Sequence, residues 1–92
     1  FMKKAVRLFL TGSLQSMFFK NFIKEHAQIN DVCGFLRNRD DGRVEIFLEG
    51  DTVDVDTMIS ICSQGPKYAN IRSVEQKEER FQDFKEFKIL KF

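Results

Sequence analysis

Residues 5–27 read AVRLFLTGSLQSMFFKNFIKEHA, and the spacing of their apolar side chains changes partway along. Val6, Leu8 and Leu10 alternate with other residues, as the residues on one face of a strand do. After Gly12, apolar residues recur every three or four positions, which is the spacing of an amphipathic helix. The segment therefore predicts a strand that passes through a short loop into a helix. The predicted buried stripe of this helix comprises Phe18, Phe19, Phe22, Ile23, His26 and Ala27.

A β-hairpin is predicted after the first helix. Residues 32–37 are apolar and short enough for one strand, and residues 44–49 alternate like a second strand. Between them lies Asp40-Asp41-Gly42, and an Asp-Gly pair tolerates the positive φ angles of a tight turn. The spacing therefore predicts two antiparallel strands joined by this turn, with Gly50 closing the second.

A second helix and a further strand follow the hairpin. Asp51 and Thr52 can cap this helix, and Gly65-Pro66 ends it. Its predicted buried stripe comprises residues 55, 58, 59 and 62. Residues 68–76 predict a fourth strand and the charged residues 77–80 a solvated turn. Residues 84–92 predict a fifth strand or an edge strand, which includes Phe92.

The order β-α-β-β-α-β predicts an α+β fold of the ferredoxin-like type. In this sandwich, two helices cover one face of a four-stranded antiparallel sheet, and an extra C-terminal edge strand can be added. A chain of 92 residues suffices for one compact core, so residues 1–92 are expected to form a single domain. The eleven Phe side chains are expected mainly in that core.

Composition and charge exclude several classes of function. Fifteen basic and fourteen acidic residues give a net charge of +1, so no strong overall field attracts DNA or an anionic membrane. The apolar runs are far shorter than the roughly 20 residues that a membrane span needs. A single His excludes a paired-His metal site, and Cys33 and Cys62 lack CxxC spacing. We expect free, buried thiols in a reducing cytoplasm, and no metal site.

Residues 12–20, with the sequence GSLQSMFFK, are the best candidate for a local anion site. They join the first strand to the first helix, where backbone N–H groups lack helical partners and the helix dipole is positive. This arrangement suits a phosphate, and Lys20 adds a positive charge. Any strand-to-helix junction offers part of this, so a plain connector is the alternative interpretation.

The same residues resemble the acylphosphatase family. Its first motif, Gly-x-Val-Gln-Gly-Val-x-Phe/Tyr-Arg, is matched at identical spacing by residues 12–20, with Ser16 and Lys20 at the second glycine and the arginine. Its second motif, Gly-x-Val-x-Asn-x-x-Asp-Gly-x-Val-Glu, is similar to residues 34–45, where Asn38 takes the asparagine position. Residues 65–71 are similar to the family's Gly-Pro-x-x-Ala-x-Val segment. The resemblance spans almost the whole chain and implies the same fold.

The resemblance implies hydrolysis of an acyl phosphate to a carboxylate and inorganic phosphate, without metal or cofactor. Asn38 would orient the attacking water, and Lys20 would act beside it as the second catalytic residue. A small acyl phosphate would be the substrate, and inorganic phosphate would be both product and inhibitor. We also expect a monomer that binds neither nucleic acid nor membrane. The implied phosphate-binding residues are Gln15, Ser16, Met17, Phe18, Phe19 and Lys20.

Two departures from the first motif predict reduced activity. Lysine keeps the positive charge but lacks the planar guanidinium that donates to two phosphate oxygens at once. Ser16 adds a Cβ where the backbone approaches the phosphate or adopts a positive φ, although its hydroxyl can donate to the anion. Arg37 and Arg39 flank Asn38, and strand alternation points both to the opposite face. We therefore do not expect them to replace the missing guanidinium.

Two alternative functions are compatible with this topology. One is a catalytically weak or inactive acylphosphatase-like module that binds an anion or a protein. The other is an RNA-binding domain, which needs exposed stacking aromatics on the third strand. That strand carries Glu45 and Glu49 where RNA phosphates would pass, so RNA binding is disfavoured.

Overall fold

The computed structural model describes residues 2–91, which form a five-stranded sheet and two helices. The strand order is β4-β1-β3-β2-β5, and all neighbours are antiparallel except the parallel pair β2 and β5. The predicted ferredoxin-like α+β fold is confirmed, with the extra C-terminal strand present and the sheet therefore mixed. Phe92, the last residue of the predicted fifth strand, lies outside the described residues. The elements are β1 Lys3–Ser13, α1 Met17–Ile29, β2 Cys33–Asn38, β3 Val44–Asp51, α2 Thr52–Gln64, β4 Asn70–Glu78 and β5 Phe87–Ile89.

The main core lies between the two helices and one face of the sheet. Alternate residues of β1 and β3, among them Leu8 and Ile46, are fully buried there, as the sequence alternation predicts. Burial raises the pKa of the Cys62 thiol to about 12, so this thiol stays protonated and unreactive. The helices bury Phe19, Ile23 and Ala27 from α1 and Val55, Met58 and Cys62 from α2.

Phe18 departs from the predicted stripe of α1, because its side chain is 76% exposed. The buried positions of this helix are four residues apart, at Phe19, Ile23 and Ala27. Phe18 is the second residue of the helix, outside that row. Its ring instead meets the ring of Tyr68 edge-on, with centroids 6.3 Å apart.

The other face of the sheet carries a second, aromatic cluster. Phe35 of β2 and Phe47 of β3 stack with ring centroids 5.8 Å apart, and Phe84 meets both rings edge-on. Phe84 belongs to the segment between β4 and β5. The buried carboxylate of Glu49 accepts hydrogen bonds from the backbone N–H groups of Gln82 and Phe84, which fixes this segment over the face.

Strand β4 is a sheet edge whose side chains are almost all exposed on both faces. Lys77 and Glu78, for which the charge run predicts a turn, belong to this strand, so the turn prediction is wrong at these positions. Because neither face of β4 is buried, its sequence lacks the apolar alternation that marks the inner strands. Charged side chains along such an edge disfavour pairing with another strand.

Candidate active site

The loop between β1 and α1 begins at an irregularity in the sheet. The register between β1 and β4 shifts between Thr11 and Gly12, and a Cβ on Gly12 would lie 2.0 Å from the carbonyl oxygen of Asn70. Only glycine permits this approach of the two strands. Leu14 is fully buried and anchors the loop to the core. The loop therefore leaves the sheet at a fixed point and reaches α1 within three residues.

Ser16 is the N-cap of α1. Its Oγ accepts a hydrogen bond from the N–H of Phe19 at 3.2 Å, and its carbonyl oxygen accepts one from the N–H of Lys20 at 3.3 Å. Its φ of −73° is accessible to any residue, so serine is not strained at this position. The hydroxyl hydrogen of Ser16 can still donate to an anion.

The start of α1 also presents backbone N–H groups that are free to bind a ligand. Those of Gln15, Ser16, Met17 and Phe18 donate no hydrogen bond to any of residues 2–91. The first turn contains no acidic side chain that would neutralise the positive end of the helix dipole. The region predicted to hold phosphate therefore has four unused donors, while the N–H groups of Phe19 and Lys20 are engaged by Ser16.

Lys20 lies on the first turn of α1 and is half-buried. Within residues 2–91, no carboxylate lies within 4.0 Å of its ammonium group. Its positive charge therefore remains available at the same helix end as the unused N–H donors.

Asn38 is the last residue of β2 and lies opposite Val44 of β3. Leu36 and Val44 are fully buried on the face that the helices cover, and strand alternation places Asn38 on that face. Its Oδ1 is buried and accepts no hydrogen bond within the described part of the chain. Such an orphaned acceptor costs about 1–3 kcal/mol, which marks Asn38 as a candidate functional residue.

One hydrogen bond joins the loop to the hairpin that carries Asn38. The side-chain Nε2 of Gln15 donates to the carbonyl oxygen of Gly42 at 3.4 Å. Gly42 belongs to the turn between β2 and β3, where its φ of 89° favours glycine. A cleft of about 440 Å³, lined by residues 37–41, opens at the same hairpin. The unused N–H donors and Asn38 thus lie at one corner of the sheet.

On the opposite face, the buried carboxylate of Glu45 binds three arginines. It accepts hydrogen bonds from Arg7, from Arg37 at 2.9 Å and from Arg39 at 3.0 Å. Arg37 and Arg39 therefore point away from Asn38, as the alternation predicts, and supply no guanidinium to the phosphate region. Burial disfavours the ionised carboxylate, but the three guanidinium donors outweigh it and hold the pKa of Glu45 below its ordinary value.

Acid should weaken the fold through Glu45. Because its pKa is lower in the folded protein, its stabilising contribution is complete above the unfolded carboxyl pKa of about 4.3 and is lost as pH falls through the folded value. Glu45→Gln should lower the free energy of unfolding by roughly 1.5–3 kcal/mol at pH 7 and flatten its dependence on acid. Urea unfolding between pH 7 and pH 3 measures both effects. Glu25→Gln, at an exposed carboxylate of α1, is the control. An unchanged acid slope in Glu45→Gln would contradict the assignment.

The cap at Ser16 should contribute measurably to stability. Ser16→Ala removes the acceptor for the N–H of Phe19 and should lower the free energy of unfolding by about 1 kcal/mol. Ser16→Gly should cost only a few tenths of a kcal/mol, because glycine lets water reach the helix start. Urea unfolding of the two variants checks the difference, and equal losses would argue against capping by Ser16.

Two features of this corner are not indicated by the sequence motifs. The link from Gln15 to Gly42 depends on side-chain reach between segments far apart in the chain. The contact between Phe18 and Tyr68 likewise joins two segments, and no local pattern signals it.

Within residues 2–91, no three His, Cys, Asp or Glu side chains are grouped so as to hold a metal, and no helix is long and apolar enough to cross a membrane.

Fold and site together define a small α+β domain with a candidate anion site at a helix start and a polar residue, Asn38, at a strand end. A family model described as acylphosphatase matches residues 6–89. The acylphosphatase of Rubrobacter xylanophilus is 40% identical over 76 residues, covering 83% of this chain and 69% of that protein. The acylphosphatase of Pyrobaculum arsenaticum is 41% identical over 85 residues, covering 90% of each. The chain therefore belongs to the acylphosphatase family, a family of hydrolases, and the resemblance drawn from the motifs is confirmed.

Solved structures agree with this assignment. The crystal structure of acylphosphatase from Bacillus subtilis superimposes with a TM-score of 0.87 at 27% identity, covering 97% of this chain and 99% of that one. An acylphosphatase structure from Coxiella burnetii gives the same TM-score at 20% identity and covers 96% and 93%. The five-stranded sheet with two helices is thus the fold of these proteins.

Proposed function

We propose that this protein hydrolyses acyl phosphates to a carboxylate and inorganic phosphate at the corner formed by the β1–α1 loop and the end of β2. One observation carries the proposal. The hydrogen bond from Gln15 to Gly42 connects the loop to the hairpin that carries Asn38. The N–H groups of residues 15–18 and the buried Oδ1 of Asn38 have no partner within residues 2–91. Membership of the acylphosphatase family supports the same reaction.

The phosphoryl group is bound by the backbone of the loop. The N–H groups of residues 15–18 donate to its oxygens, and the helix dipole and Lys20 balance its negative charge. The N–H of Phe19 joins them by exchanging its 3.2 Å bond to Ser16 for a bond to the anion. Backbone donors of this kind are held in place before the reaction, so they stabilise developing charge without reorganisation.

Asn38 positions the attacking water. Its Oδ1 accepts one hydrogen of the water, which directs a lone pair of the water oxygen at phosphorus. The bond from this oxygen to phosphorus forms as the bond from phosphorus to the bridging oxygen breaks, and the bonding electrons leave with the carboxylate. The water proton passes to the phosphate product or to solvent. A carboxylate is a weak base, so its departure needs no general acid, and positioning with charge stabilisation supplies the catalysis.

Phosphate release from acetyl phosphate and benzoyl phosphate tests the proposed function. We expect steady-state turnover above the buffer blank, with competitive inhibition by inorganic phosphate because it binds the same N–H groups. No turnover at high protein concentration, in both the wild type and Lys20→Arg, would overturn the proposal. Phosphate-induced shifts of the amide signals of residues 15–20 without any turnover would instead identify an anion-binding module.

We further propose that the protein acts as a monomer in the cytoplasm and binds neither nucleic acid nor membrane. The charged edge strand β4 supports a monomer, because such edges resist pairing. The segment held by Glu49 covers the sheet face on which related topologies bind RNA, which argues against that function. The free thiols of Cys33 and Cys62 suit a reducing compartment.

A further inference from the structure

An apolar patch faces solvent beside the proposed phosphate site. Met17 and Phe18 begin α1 and are 55% and 76% exposed, and Tyr68, in the loop between α2 and β4, is 65% exposed. The rings of Phe18 and Tyr68 meet at an interplanar angle of 80°. We call these three residues the aromatic patch. Its two rings come from segments 50 residues apart in sequence, so the fold itself assembles this surface.

The sheet order places the aromatic patch and Asn38 on opposite sides of the β1–α1 loop. Strand β1, from which the loop departs, lies between β4 on one side and β3 with β2 on the other. Tyr68 precedes β4, whereas Asn38 ends β2. The loop touches both sides, because Ser13 pairs with Asn70 of β4 and Gln15 bonds to the hairpin at Gly42. A phosphoryl group on the loop would therefore have Asn38 on one side and the aromatic patch on the other.

Phosphoryl transfer places the attacking and leaving oxygens roughly in line on opposite sides of phosphorus. If water is held at Asn38, the acyl group leaves on the far side, toward the aromatic patch. The acyl carbon is joined to phosphorus through a single bridging oxygen. Met17 and Phe18 also supply N–H donors to the phosphoryl group. The acyl substituent therefore starts close in space to their side chains.

We propose that the aromatic patch binds the acyl part of the substrate, and that this protein prefers acyl phosphates with an aromatic or bulky apolar acyl group. This inference rests on the proposed function and adds a substrate class to it. Rings that meet edge-on present an apolar surface to a third aromatic or branched group. The same patch gives a small or charged acyl group little area to contact.

The contact is made with the bound substrate as well as with the transition state, so it should act mainly on KM. Tyr68→Ala should raise KM for benzoyl phosphate by about 3- to 10-fold and leave the kinetics of acetyl phosphate unchanged. Phe18→Ala should lower the ratio of kcat/KM for benzoyl phosphate to that for acetyl phosphate by a similar factor. Comparing each variant with the wild type on the same substrate removes the intrinsic reactivity of the two substrates.

Val53→Ala is the matched control. Val53 is the second residue of α2, as Phe18 is of α1, and it is also 76% exposed, but it belongs to the other helix. Val53→Ala should leave kcat and KM unchanged for both benzoyl phosphate and acetyl phosphate. If Tyr68→Ala and Phe18→Ala leave the ratio at its wild-type value while acetyl phosphate is hydrolysed, the inference fails and the proposed function stands. If neither substrate is hydrolysed by any form of the protein, both fail.

Discussion

Asn38→Ala is expected to lower kcat for acyl phosphate hydrolysis by about 10²–10³-fold, because one preorganised polar contact to the reacting atoms is lost. The substitution removes the Oδ1 that would hold the attacking water and leaves the N–H donors of the loop intact. KM and inhibition by inorganic phosphate should therefore change little. Steady-state kinetics with acetyl phosphate and inhibition by phosphate measure the two effects separately.

The fold should survive this substitution. Oδ1 of Asn38 has no partner within residues 2–91, so its removal breaks no hydrogen bond there. We expect the free energy of unfolding to be unchanged or to rise by up to about 1–3 kcal/mol, because the orphaned acceptor is removed. Asn21→Ala, at an exposed position of α1, is the control and should retain full kcat. An Asn38→Ala variant with normal kcat would rule out a role for this side chain in positioning water.

Lys20→Ala is expected to lower kcat/KM by about 10²–10³-fold, because it removes the positive charge that we propose stabilises the transferring phosphoryl group. Inorganic phosphate should bind more weakly in parallel, in contrast to Asn38→Ala. The charge-retaining variant Lys20→Arg should be more active than the wild type, because a guanidinium donates to two phosphate oxygens in a fixed geometry. Kinetics with acetyl phosphate at constant ionic strength measure all three proteins.

Lys24→Ala is the matched control for charge. Lys24 lies one turn further along α1, so the variant loses the same charge farther from the helix start. It should lose much less kcat/KM than Lys20→Ala, because its ammonium group lies a further turn, about 5.4 Å, from the helix start and is not expected to contact the phosphoryl group directly. If Lys24→Ala and Lys20→Ala lose activity equally, the effect is one of net charge and Lys20 has no specific role.

The inner part of the fold follows from the sequence because each inner strand has one face against the helices. The alternation of Leu8 and Ile46 with polar or aromatic neighbours thus reports directly on burial. The same reasoning correctly predicts that the side chains of Arg37 and Arg39 point away from Asn38. Local pattern is informative wherever burial repeats with the period of the element.

Sequence patterns do not predict the structure where burial has no local period or where the contacting residues are far apart in the chain. Strand β4 is exposed on both faces, so its charged end at Lys77 and Glu78 resembles a turn. The parallel strand β5 follows a segment whose backbone N–H groups donate to Glu49, more than 30 residues away in the chain. Phe18 fits a helical stripe by spacing alone, but the first turn of α1 places it outside the core.

For the candidate site, the sequence motifs indicate which segments take part, but not the hydrogen bonds that connect these segments. The motifs predict a site from the loop at residues 12–20 and the strand end at Asn38, and the structure connects the loop to that hairpin through the hydrogen bond from Gln15 to Gly42. The capping bond from Phe19 to Ser16 was not expected, because a serine hydroxyl can serve equally as donor or acceptor. The assignment of individual roles within the loop stays a prediction until the variants are measured.

The ion pairs of Glu45 favour one register of the strands around it. This cluster ties β1 and β2 to β3 through Arg7, Arg37 and Arg39. A slip of β2 by one residue against β3 would turn both β2-side arginines toward the helices and carry Asn38 to the other face. Such a slip would break these ion pairs and bury the charges. The cluster therefore stabilises the observed register of β2 against β3. The face of the sheet opposite Asn38 thus keeps Asn38 on the helix-covered face.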